Sequence, residues 1–365
     1  MSENSSEVLL KASDVRIHYH SVGGDYKVVD GVDITVNRNE IFGLAGESGC
    51  GKSTLVEGII RLIRPPGDIV SGQALFYPHP PPSRAMTSTK GNGHGQTDPN
   101  AIDLFAVEGE DLRYLRWRYI SYIPQGSMNS LNPVMRIGDQ MMDVMLQHSE
   151  LSKRAARERI SDVLRIVGLS DRVMRAYPHE LSGGMKQRVI IGMAVTLNPQ
   201  LIVADEPTTA LDVNVQRAVL ETIAEVKERT GATIIFVSHD MAVHAELVDR
   251  LGIMYAGEVI EIGTVYEIFE APKHPYTQRL IGSIPDLGGV RERLESITGI
   301  APSPIAWPQG CRFHPRCPQA MAICSEVAPP FFEISPGHPV ACHLYNDPQT
   351  IQLYENKSSE KVVPA

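Results

Sequence analysis

The stretch Gly46-Glu47-Ser48-Gly49-Cys50-Gly51-Lys52-Ser53-Thr54 constrains this chain more than any other. It fits the pattern G-x-x-x-x-G-K-[ST] at every fixed position. The apolar run Ile41-Phe42-Gly43-Leu44-Ala45 precedes it and Leu55-Val56-Glu57-Gly58-Ile59-Ile60 follows, so the segment reads as strand, loop and helix. The glycines let successive N–H groups turn inward on an anion, and the helix N-terminus adds its positive dipole end. Lys52 is placed to reach the β- and γ-phosphates of a nucleotide, and the Ser53 hydroxyl to ligate Mg²⁺. A Gly/Ser turn that merely happens to hold a lysine has no reason to sit between that strand and that helix. The stretch therefore predicts an α/β core that binds a nucleoside triphosphate.

A second signal lies downstream. Leu201-Ile202-Val203-Ala204-Asp205 is a continuous apolar run ending in a carboxylate, and Thr233-Ile234-Ile235-Phe236-Val237-Ser238-His239 is another such run. Buried parallel strands read this way. Asp205 is expected to hold Mg²⁺, directly or through water, and Glu206 to polarise an attacking water as general base. Two carboxylates before Pro207 also suit an ordinary helix cap; the phosphate loop upstream favours the catalytic reading.

The third signal is Leu181-Ser182-Gly183-Gly184-Met185-Lys186-Gln187-Arg188. Here the chain resembles the ATP-binding cassette (ABC) superfamily. Ser is a good N-cap, and a capped helix start also presents N–H groups to an anion. The resemblance implies that Ser182, Gly183 and Gly184 contact the nucleotide bound by a facing subunit. It further implies that Gln125, in Ile123-Pro124-Gln125, senses Mg²⁺ and the attacking water. Asp212, in Ala210-Leu211-Asp212, falls in the loop that communicates across the dimer, and His239 stands where the switch histidine touches the γ-phosphate. Tyr19 is similar in place to the aromatic that stacks on adenine, with Tyr26 as the competing candidate.

The resemblance covers roughly residues 8–285 and narrows at Lys273-His274-Pro275-Tyr276-Thr277-Gln278-Arg279-Leu280. That segment, with Ser130-Leu131-Asn132-Pro133, resembles the ATPase subunits of oligopeptide and dipeptide importers, a group that also serves nickel and oligosaccharides. Two departures stand out. Gly126-Ser127 replaces the usual Asp-Pro after the glutamine, and the Pro/Gly/Ser/Thr-rich insertion at 78–100 is long. Its composition predicts an exposed, mobile segment.

The expected fold is an α/β P-loop NTPase of ABC type: a RecA-like parallel-sheet core, an antiparallel β subdomain and an α-helical subdomain. The nucleotide-binding domain is expected over 8–265, with the helical subdomain at about 127–182. Helical periodicity there (Met141, Met142, Val144, Met145, then Ile160, Val163, Leu164, Ile166, Val167) reads as core. A C-terminal extension follows at 266–345 and a tail at 346–365. A formal charge of −9 argues against a nucleic-acid partner. No apolar run approaches the ~20 residues that cross a bilayer, and the acidic start lacks a signal peptide's features. The resemblance thus implies a peripheral protein on the cytoplasmic face of the membrane, working with a second ABC ATPase, two permease subunits and an extracellular solute-binding protein. A soluble ABC ATPase of DNA repair or translation, and a regulatory subunit with a dead site, are the rival readings. Intact Lys52, Asp205, Glu206 and His239 oppose the second.

Of five cysteines, Cys50 lies in the phosphate loop and the rest, Cys311, Cys317, Cys324 and Cys342, in the extension. Their spacing matches neither a zinc ribbon nor a common ferredoxin run. A Pro-rich segment with little apolar surface still needs an organising centre. The resemblance favours a [4Fe–4S] cluster of structural role, with Zn²⁺ or free thiols as alternatives and His314, His338 and His343 as substitute ligands. Because the ATP ligands are expected in a separate core, nucleotide binding is expected to survive loss of this site.

Overall fold

The computed structural model describes residues 8–82, 86, 98, 100–284, 297 and 299–349. Most of the 78–100 insertion and most of the 346–365 tail lie outside them.

The chain opens with two long strands, β1 (Val8–Ser21) and β2 (Gly24–Asn37), paired antiparallel. Their inward residues alternate, so Val15, Ile17, Val29, Val32, Ile34 and Val36 are all buried. A short turn leads to β3 (Ile41–Ala45), buried throughout, then the phosphate loop and α1 (Lys52–Ile59). β4 (Gly67–Phe76) returns to β1, and β5 (Ile102–Asp103) adds to its edge. The antiparallel sheet thus has the order β2-β1-β4-β5. α2 (Gly109–Arg118) and β6 (Ile120–Ile123) bring the chain back to the core.

The helical part follows as α3 (Ile137–His148), α4 (Lys153–Ile166) and α5 (Gly183–Val195). The long periodic stretch is broken between α3 and α4, where Ser152 caps α4 by accepting from the Ala155 N–H at 3.2 Å. Met141, Met145, Ile160, Val163 and Leu164 are fully buried, as the periodicity requires.

β7 (Leu201–Asp205), α6 (Val213–Thr230), β8 (Thr233–Val237), α7 (Met241–Leu247), β9 (Arg250–Tyr255) and β10 (Glu258–Thr264) complete the core. α8 (Val265–Glu270) and α9 (Pro275–Gly282) pack beside it. Strands β9, β3, β8, β7 and β6 lie side by side and parallel, while β10 is antiparallel to β9. In an open parallel sheet the carboxyl ends of the strands form the binding edge. Here Gln125, Asp205, Glu206 and His239 all fall at or within two residues of such an end.

The extension departs from expectation. Its strands β11 (Phe332–Ser335) and β12 (His338–Val340) join the core sheet, β12 pairing antiparallel with β10 at Glu261 and Val340. The Lys27 N–H donates to Pro304 at 3.0 Å, and Trp307 Nε1 donates to the Lys27 carbonyl at 2.8 Å. The extension is therefore part of the body that holds the nucleotide ligands, not a separate one.

Candidate nucleotide site

The phosphate loop is held open by close backbone approach at two glycines. A Cβ at Gly46 would meet the Met254 carbonyl at 2.1 Å, and one at Gly51 the Val28 carbonyl at 2.6 Å. Both glycines have positive φ, 146° and 106°. Gly51 is the N-cap of α1 and no side chain caps that helix, whereas Ser152, Ser182 and Asp212 cap α4, α5 and α6. The first N–H groups of α1 are thus left for an external acceptor. Lys52 is buried, and its ammonium donates to the carbonyls of Gly46 (2.8 Å) and Glu47 (3.1 Å). These acceptors are neutral and the ammonium makes no direct ion pair among the described residues, which suits an arriving phosphate.

The residues of 46–54 do not all face outward. Ser48 and Gly49 are exposed, Ser53 and Thr54 half-buried. The Cys50 side chain is buried in the core, its Sγ 3.7 Å from Lys52 Nζ. Its thiol belongs to the packing, which spacing alone does not reveal.

Ser53 Oγ donates to Asp205 Oδ1 at 3.0 Å. Burial pushes the Asp205 carboxyl up to about 6; the Ser53 and Tyr122 hydrogen bonds oppose this, and the neighbouring Glu206 and Glu57 charges add to it. A hydroxyl and a carboxylate held together are hard oxygen donors of the kind Mg²⁺ takes. Two members of this group escape the motif reading. Tyr122 Oη lies 3.1 Å from Glu57 Oε1 and 3.3 Å from Asp205 Oδ2, tying the helix after the phosphate loop to the Asp205 carboxylate. Tyr122 stands three residues before Gln125, but nothing local marks its hydroxyl.

Glu206 is gripped by three side chains. Gln125 Nε2 donates to Oε2 at 2.9 Å, Thr209 Oγ1 to Oε2 at 2.8 Å, and His239 Nδ1 lies 2.9 Å from Oε1. Since a carboxylate only accepts, His239 carries its proton on Nδ1. Burial alone would raise the Glu206 carboxyl, but His239 and Thr209, with the Lys52 charge, hold it below the usual range. Glu206 also has φ 47°, a left-handed conformation costly for a side chain with a Cβ. Such strain persists only where the surroundings over-determine it, and three hydrogen bonds do so here. Thr209 is the further member that sequence reasoning missed.

Ser182 caps α5, accepting from the Met185 N–H at 3.3 Å. A Cβ on Gly183 would face Leu211 and Met128, and one on Gly184 would strike Val215 at 2.6 Å. The α5 start therefore abuts the segment around Asp212, which caps α6 at 3.0 Å through the Val215 N–H. Ser127 Oγ donates to Gln187 Oε1 at 3.2 Å, binding the Gln125 loop to the same helix. Gly126 adopts φ 65°, which accounts for glycine at that departure from the family wording. Tyr19 and Tyr26, the two adenine candidates, are direct cross-strand partners on β1 and β2.

The four late cysteines converge. Cys311, Cys317, Cys324 and Cys342 line one small, largely enclosed cavity with His274, Phe313, His314 and His343. Burial pushes the Cys311 and Cys342 thiols up to about 12, and the neighbouring sulfurs add to this. Among the described residues, however, no group of three or more His, Cys, Asp or Glu is arranged to hold a metal ion. The histidines are engaged elsewhere: His314 Nδ1 with the Cys311 carbonyl (2.8 Å), His343 Nε2 with the Val327 carbonyl (2.8 Å), His338 Nε2 with the buried Glu261 (2.9 Å).

Fold and site together define a P-loop nucleotide hydrolase with a four-strand-end catalytic edge. The family model described as "ABC transporter" matches residues 29–209, and that described as "Oligopeptide/dipeptide transporter, C-terminal region" matches residues 260–324. The dipeptide transport ATP-binding protein DppD of Caldanaerobacter subterraneus subsp. tengcongensis is 37% identical over 347 residues, covering 93% of this chain and 98% of its own. The oligopeptide transport ATP-binding protein OppD of Bacillus subtilis is 38% identical, covering 92% of this chain and 88% of its own. A dimeric bacterial ABC transporter cassette shares the fold with TM-score 0.57 and 24% identity, over 70% of this chain and 99% of that one. The chain belongs to the ABC transporter family, in the group of oligopeptide/dipeptide transport ATP-binding proteins. It is an ATPase that drives a transporter, which sets aside the DNA-repair and translation reading. Among the described residues no helix is long and apolar enough to cross a membrane.

Proposed function

We propose that this chain hydrolyses ATP to power import of dipeptides or oligopeptides, with Glu206 as general base. The observation that carries the reading is the Glu206 carboxylate, held by Gln125, Thr209 and His239 beside the Ser53–Asp205 pair. Lys52 and the α1 N–H groups bind the phosphates; Tyr19 or Tyr26 stacks on adenine. Ser53, Asp205 and Gln125 hold Mg²⁺, which supplies charge neutralisation at the β- and γ-phosphates when bound. His239 holds the carboxylate in place and keeps it ionised, so that it can accept a proton from water. The peptide cargo is supported by the names of the relatives and by the C-terminal family match.

The chain works as one of two ATPase subunits, beneath two permeases fed by an extracellular solute-binding protein, on the cytoplasmic side of the membrane. Ser182, Gly183 and Gly184 complete the partner's site, and Asp212 lies in the contact. Isolated chain should therefore hydrolyse ATP poorly, with activity rising when the partner ATPase and permeases are added. Full activity in a verified monomer, independent of concentration, overturns the shared site.

The cysteine cavity is proposed to take a [4Fe–4S] cluster rather than Zn²⁺. Four thiols lining one enclosed cavity are a soft donor set that suits either metal, and the resemblance to the importer subfamily favours the cluster. Protein purified without oxygen should be brown, with about four iron and four sulfide per chain. Colourless protein with one zinc per chain refutes this, as does protein with neither.

A further inference from the structure

We propose that Arg316, in the cysteine extension, is a positioning residue for the phosphate loop: its fork to Glu47 holds that loop in the shape that accepts nucleotide. The inference rests on the reading of residues 46–54 as the ATP site. Arg316 Nη1 donates to Glu47 Oε2 at 2.8 Å and Nη2 to Oε1 at 2.9 Å, two parallel bonds. Nη1 also donates to the Tyr255 hydroxyl at 3.2 Å, and the guanidinium lies over the Tyr255 ring, 5.7 Å from its centroid. The Arg316 side chain is only 6% exposed and that of Glu47 26%. A planar, desolvated fork of this kind fixes geometry, whereas an exposed ion pair does not.

Glu47 is held at its backbone as well. Its N–H donates to the Tyr276 hydroxyl at 2.9 Å. Tyr276 packs on Tyr255 (4.6 Å between centroids) and on Phe313 (5.4 Å). Both restraints on Glu47 thus come from outside the loop. What they steady is functional, because the carbonyls of Gly46 and Glu47 are the acceptors that seat the Lys52 ammonium. A displaced Glu47 carries one of those oxygens with it and pulls on the other.

The anchor itself is rigid. Arg316 stands between Cys311 and Cys317, where the His314 N–H donates to Cys311 (2.9 Å), that of Arg316 to Phe313 (2.9 Å) and that of Cys317 to His314 (3.3 Å). The same extension grips β2 at Lys27, next to Tyr26. One segment, far along the chain, therefore braces two walls of the nucleotide site. This replaces the expectation that ATP binding is indifferent to the extension.

The test is Mg·ATP binding to the full-length chain, by calorimetric titration well below the melting temperature. Arg316→Ala should weaken ATP about tenfold, within the ~5–150-fold usual for coupled sites. Arg316→Lys should fall between, since it keeps the charge but not the fork. In a Glu47→Ala background, Arg316→Ala should add no further loss. A merely structural role would lower the melting temperature and leave ATP affinity alone. Should Arg316→Ala fail to fold, Arg316→Lys and Glu47→Gln carry the same cycle. Wild-type ATP affinity in the Arg316 variants, or equal losses with and without the Glu47 side chain, overturns the inference. Lys52→Ala separates the two levels: wild-type ATP binding there means that the reading of the loop has failed.

Discussion

Glu206→Gln, in the assembled transporter, should bind ATP normally and hydrolyse it about 10²–10⁴-fold more slowly, the usual worth of one general base. The amide keeps the shape of the carboxylate and can still take the hydrogen bonds from Gln125 and Thr209 on one oxygen. It removes the group that accepts the proton. Because the carboxylate is held below its ordinary range by His239 and Thr209, the base should stay ionised throughout the neutral region. Steady-state ATPase assays beside a nucleotide-binding titration read the two effects apart. Hydrolysis at the wild-type rate would remove Glu206 from the chemistry. His239→Ala makes the companion case, since it deletes the contact on Oε1 alone and leaves the carboxylate in place.

Lys52→Ala should have the opposite profile. ATP binding should weaken by on the order of 10–100-fold, as charged hydrogen bonds contribute roughly 1.5–3 kcal/mol. The fold should not suffer. The buried ammonium donates to the Gly46 and Glu47 carbonyls and lies against the Cys50 sulfur, all neutral partners, and a buried charge among neutral partners is a cost that the alanine variant escapes. Lost binding with an undiminished melting temperature is the expected pair of results. A variant that melts earlier and binds ATP as before would assign Lys52 to stability instead.

The contrast between these variants and Arg316 shows where sequence reading ends. The loop 46–54 and the carboxylates Asp205 and Glu206 were legible because each follows an apolar strand, and parallel strands deliver their carboxyl ends to one edge; Gln125 and His239 were singled out through the family resemblance, and they fall at the same edge. Local pattern and global position are then the same information. Tyr122, Thr209 and Glu57 were not legible, although each contacts a named carboxylate or its partner. A hydroxyl or carboxylate on a strand or helix carries no mark of what it faces; only the twist and register of β6 against β7 bring Tyr122 to Asp205. Cys50 illustrates the converse, a residue inside the motif whose side chain serves the core.

The extension makes the point most fully. Its four cysteines line one cavity, although among the described residues no group of three or more His, Cys, Asp or Glu is arranged to hold a metal ion. That β12 would pair with β10, and that Arg316 would reach Glu47 from 269 residues away, lay beyond any periodicity or motif. The sequence by itself determined the strand-loop-helix units, the family and its class of chemistry, and which candidate groups end the parallel strands, because short-range pattern encodes which residues close each strand. Only the tertiary structure decided which hydroxyls steady the carboxylates, and that the cysteine extension braces the phosphate loop. Such contacts depend on how distant segments close on one another, and no local preference records that.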